Sequence, residues 1–273
     1  MEFSIKRCTP EKQRTACAVV GVHEGRRLDA AARSLDDASG GYLGEILKRG
    51  DMEGKCGSTL LLHAVPGVPC ERVLLVGLGK KGEFAEKAYC DALRAAMRVL
   101  LAGAVRDAVI YLAAIPVRKR DAAWAAERAV SLAMEVAYRF DSMKSQRDPA
   151  PVLGRIVLAC ADKAAKSAME SGLARGLAIA RGANLARDLG NLPGNVCTPT
   201  YLAEQAAALA ERHGLGLDVL EQADMERLGM GALLSVAKGS EQPPKLIVLR
   251  YGGGRKGDKP VVLVGKGITF DSG

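Results

Sequence analysis

A chain of 273 residues can form two domains, or one large one, around a substantial core. Hydrophobic residues make up 48% and aromatics only 4%, so that core is built from Ala, Val, Leu and Ile, which favours helices stacked on a sheet. The net charge of +8 implies a well-charged surface and leaves contact with nucleic acid open, while seven cysteines, an odd count with no CxxC pair, argue against a disulfide framework.

The N-terminal stretch MEFSIKRCTP has no apolar signal core, and no run is long enough to span a bilayer. The sequence therefore reads as cytoplasmic, with no membrane partner. Apolar runs at 16–22, 58–64, 72–76, 107–114 and 155–161 read as strands. Between them, 28–47, 83–102 and 117–140 read as helices, the first broken near Gly40-Gly41 and the second stopped by Gly103. Strands alternating with helices predict an α/β layered domain over residues 1–162.

Gly77-Leu-Gly-Lys-Lys-Gly82 follows a strand and opens a helix, which is the setting of a dinucleotide fingerprint. That fingerprint also wants an acidic residue at the end of the next strand, to hold the ribose. Here the strand runs into Ile115-Pro116 without one, so a tight strand-to-helix turn is the better reading.

Residues 142–151 are polar and proline-containing, a surface loop. From Lys163 a long helix is expected to run to about Leu189, with Gly190 as its stop. Met169, Leu173, Leu177 and Ala180 form its apolar stripe, and Gly172 and Gly176 lie one turn apart. Each glycine costs about 1 kcal/mol against alanine, which predicts close approach of another backbone. The helix links the first domain to a second one, over 163–273.

Thr198-Pro199 is an N-cap with proline at the first helical position, starting a helix that runs to His213 and closes at Gly214. A strand at 217–220, a short helix at 223–228 and a strand at 245–251 follow. The loop 252–258 then turns the chain into a β-branched run at 261–264, predicting an antiparallel hairpin between the last two strands. Two glycines bracket Lys266 next, and Asp271 follows five positions later. An odd separation puts the two side chains on opposite faces of a straight strand, so convergence needs a bend, which Gly265 and Gly267 permit.

VGKGITFDSG, ending at Gly273, resembles the first metal-binding segment of the leucyl (cytosol) aminopeptidase family. NLPGNVCTPTYLA, beginning at Asn191, resembles the segment that opens that family's catalytic domain. The resemblance implies an N-terminal α/β domain, a long linker helix, and an incomplete α/β catalytic domain with a mixed sheet. It implies a two-metal aminopeptidase releasing leucine-like residues from peptide N-termini, with two divalent ions (zinc, or manganese or magnesium) and a homohexameric assembly. Lys266 would be a ligand of one ion and Asp271 would bridge both.

The chemistry suits these residue types. A lysine coordinates a cation only as the neutral amine, and deprotonation from a pKa near 10.4 costs about 4.6 kcal/mol at pH 7. A dication offsets that cost by displacing the proton. A carboxylate can span two metals about 3.5–4 Å apart, the clamp known from aminopeptidases.

Two ligands cannot hold two metals, because one catalytic zinc typically takes three protein ligands. By the resemblance, the remaining acidic ligands, a second lysine and an arginine follow the position matching Gly273, so this chain alone is expected to be inactive. A rival class is DNA binding, as in some bacterial proteins similar to this family, with Lys80-Lys81, Arg118-Lys119-Arg120, Lys144 and Arg147 as phosphate contacts.

Overall fold

The computed structural model describes residues 1–255 and 257–269. The chain divides into two compact units, Met1–Leu185 and Ala186–Gly273.

In the first unit the described residues form a seven-stranded sheet. Its strands are β1 (Glu2–Lys6), β2 (Cys17–His23), β3 (Arg27–Leu28), β4 (Thr59–His63), β5 (Arg72–Gly79), β6 (Asp107–Ile110) and β7 (Arg155–Ala159). The order is β1-β7-β6-β2-β5-β4, with β3 paired to β2. The five from β1 to β5 in that order run parallel, and β4 and β3 are antiparallel to their neighbours.

The central strands are buried on both faces, which explains why they read as unbroken apolar runs. Along β2, Cys17 and Val19 face one core while Ala18, Val20 and Val22 face the other. The first core is roofed by α3 (Glu86–Ala102), α4 (Ala122–Ala137) and α5 (Lys163–Asn191), the second by α1 (Ala30–Ala38) and α2 (Tyr42–Arg49). Full burial of a side chain such as Leu74 or Leu75 stabilises by about 1.5–3 kcal/mol. This is the mixed α/β architecture expected from the sequence.

The break between α1 and α2 falls where two glycines adopt left-handed backbone, Gly40 at φ 68° and Gly41 at φ 88°. Asp29 caps α1 and also ties it to the sheet. Its carboxylate accepts from Ala32 N at 2.6 Å and from Gly21 N, on β2, at 3.1 Å. In α5 the two glycines do what their cost suggested. A Cβ at Gly172 would stand 2.0 Å from the Ala123 carbonyl oxygen, and one at Gly176 would stand 2.6 Å from that of Glu127. α4 and α5 thus pack backbone to backbone, with Met169 buried and Leu173 and Leu177 against the same core.

Several boundaries differ from the sequence reading. β1 was not anticipated, because charged residues flank its two inward positions, Phe3 and Ile5; it is held by parallel pairing to β7. The strand expected over 107–114 ends at Ile110, and Tyr111–Ala114 is a buried 3-10 turn. The helix expected from 117 starts at Ala122, because Lys119 takes a left-handed φ of 61° and Asp121 then caps, accepting from Trp124 N at 2.7 Å. α5 passes through Gly190 and ends at Asn191, two residues before Pro193.

In the second unit, α6 (Pro199–His213) packs on β8 (Gly216–Leu220) and β9 (Leu246–Arg250), an antiparallel pair. Thr198 caps α6 by accepting from Tyr201 N at 3.2 Å, and Gly214 closes it in left-handed backbone. Two short helices, α7 (Gln222–Arg227) and α8 (Gly231–Ala237), join the strands, and Met225 is fully buried. The hairpin expected between the last two strands does not form. β9 takes β8 as its partner, and 261–264 is neither paired nor covered among the described residues. A run apolar on both faces needs neighbouring strands and a layer on each side to become a buried strand, and the described residues supply neither.

Candidate functional site

Lys266 lies on an exposed, irregular segment that follows Val261, Val262, Leu263 and Val264. Those four side chains are 90%, 72%, 92% and 92% accessible, far more than any residue of the cores. Neither Gly265 nor Gly267 adopts left-handed backbone, and a Cβ at either would meet open space. Asp271, the second expected ligand, lies outside the described residues.

An amine and a carboxylate are donors of the right kind for a divalent pair. However, the described residues contribute Lys266 alone, and among them no three His, Cys, Asp or Glu side chains gather where they could hold a metal. They therefore do not by themselves build a metal centre, nor do they nominate a ligand that the sequence reading missed. His23, in the first unit, is buried with Nδ1 3.2 Å from the Gly79 carbonyl, and burial holds its pKa below the ordinary imidazole value. It serves the end of β2 rather than a metal.

The glycine motif that overlaps the end of β5 is not a phosphate cradle. Gly77 lies within β5, where a Cβ would stand 1.9 Å from the Lys55 carbonyl oxygen and 2.4 Å from Ser58 Oγ. The segment 55–58 therefore fills the space that a pyrophosphate would need, held by Gly57 N donating to Gly77 O and Gly77 N to Ser58 O. α3 begins only at Glu86, with Ala85 at its cap. The glycine exists for a close chain crossing.

The basic residues expected to meet phosphates are partly neutralised. Lys80 pairs with Glu83, Lys144 with Asp148, and Arg120 with Glu86 while its guanidinium stacks 5.3 Å from the Trp124 ring. An open groove of about 470 Å³ in the second unit is lined by Gln222, Glu226, Leu234, Lys238 and the Ser240–Pro244 stretch. It does not include Lys266.

Comparison with known proteins decides the family. A sequence model described as the cytosol aminopeptidase family, N-terminal domain, matches residues 19–147, and the catalytic-domain model of the same family matches 184–273. The chain belongs to the cytosol aminopeptidase family. It is 53% identical to a probable cytosol aminopeptidase of Dechloromonas aromatica and 54% identical to one of Methylobacillus flagellatus, each across 100% of this chain and 55% of the relative. The chain thus spans about half the length of the curated relatives it matches.

Among solved structures, a tomato leucine aminopeptidase mutant superposes on 100% of the chain and 55% of its own length, at 22% identity and a TM-score of 0.83, a likeness of fold. The bottromycin maturation enzyme BotP, in complex with Mn, is 26% identical, with a TM-score of 0.67 over 86% of this chain and 45% of its own. The catalytic-domain match of this cytosol aminopeptidase family member runs through both Lys266 and Asp271. Among its described residues no helix is long and apolar enough to cross a membrane.

Proposed function

We propose that the full-length protein is a metal-dependent aminopeptidase that releases N-terminal, leucine-like residues from peptides. The observation that carries this reading is the match to both domains of one peptidase family, with identity of 53% and 54% to curated relatives across the whole of this chain. Residues 1–162 would form a non-catalytic α/β domain, and the chain from 163 onward would link it to the catalytic one.

Lys266 would hold one divalent ion through its neutral amine, and Asp271 would span the pair, fixing the spacing between the ions. Zinc is the expected metal, with manganese or magnesium as substitutes; the manganese bound by the similar enzyme BotP supports a divalent site. When bound, the ions supply Lewis-acid polarisation of the scissile carbonyl. Homohexameric assembly and a cytoplasmic location complete the proposal.

The experiment is hydrolysis of Leu-p-nitroanilide by the full-length protein, before and after chelation and with zinc or manganese restored. Metal-dependent turnover is expected from the full-length protein and none from residues 1–273 alone. Turnover that survives complete chelation, or that the 273-residue chain performs unaided, contradicts the reading.

A further inference from the structure

No further inference is drawn: the strongest candidate, the exposed apolar surface patch Val261, Val262, Leu263 and Val264 in the second unit, carries nothing because nothing in the structure shows what covers it.

Discussion

Replacing Gly172 by alanine sets two effects against each other, and the structure decides the sign. Alanine is favoured over glycine inside a helix by about 1 kcal/mol, so helix propensity alone predicts a gain in stability. The new methyl would stand 2.0 Å from the Ala123 carbonyl oxygen and 2.7 Å from its carbon, both backbone atoms of α4. Ordinary contact begins near 3.4 Å, so α4 and α5 would have to separate by more than an ångström. A radial gap of about 0.5–1 Å already forfeits a quarter to a half of the dispersion attraction across an interface. Met169, Leu173 and Leu177 would all loosen against the core.

Overpacking typically costs about 1–3 kcal/mol, and a clash between two backbones falls at or beyond the upper end. The net loss for Gly172→Ala is therefore about 2 kcal/mol or more, a fall in melting temperature of roughly 4–8 °C for a unit of this size. Gly182→Ala is the matched control: it lies on the same helix, with nothing within 4 Å of the added methyl, and should stabilise by up to about 1 kcal/mol. Urea or thermal unfolding of the two variants should move in opposite directions. A Gly172→Ala protein as stable as the Gly182→Ala protein would mean that α4 and α5 do not meet backbone to backbone at Gly172.

Asp29 should leave a pH signature. Burial outweighs its backbone hydrogen bonds and raises its pKa from 3.8 to about 6, so the folded chain binds the proton more readily than the unfolded one. Its contribution to stability is therefore fully present below about pH 4 and is lost as pH rises to about 6, by at most about 3 kcal/mol. Between pH 4.5 and 7 the wild type should lose more stability, or gain less, than Asp29→Asn does, read from urea midpoints; the same pH slope in both proteins contradicts this. His23 acts in the opposite sense, since its lowered pKa gives stability that is lost on acidification below about 6.5, so only the wild-type-minus-variant comparison isolates Asp29. Gly77→Ala should displace segment 55–58 and destabilise by about 1–3 kcal/mol without altering affinity for a dinucleotide, because none is expected to bind; calorimetry showing NAD affinity lost in the variant would restore the nucleotide reading.

Much of the first unit was legible because its signals are local. β2 and β5 announce themselves as unbroken apolar runs, Gly40-Gly41 breaks the helix where it must, and Gly172 with Gly176 marks a backbone contact before the partner helix is known. β1 was not legible, since pairing to a strand some 150 residues away stabilises a segment whose own pattern is weak. The second unit shows the same limit from the other side. The apolar pattern at 261–264 reads as a strand but names no partner, and the pairing with β9 that adjacency in sequence suggested is not formed among the described residues. At the candidate site, Lys266 and Asp271 were legible only through the motif that surrounds them. Burial, charge and hydrogen bonding around an exposed lysine do not distinguish a ligand from any other surface amine.

The proposed role of Lys266 as a metal ligand is open to direct measurement. Full-length protein equilibrated with zinc or manganese and then passed through a desalting column should carry about two ions per chain by elemental mass spectrometry. Lys266→Ala should lower that count by about one, with the thermal unfolding of the whole metal-free protein, second unit included, unchanged as proof that the fold survives. A variant that keeps the full metal content would show that this amine holds no metal.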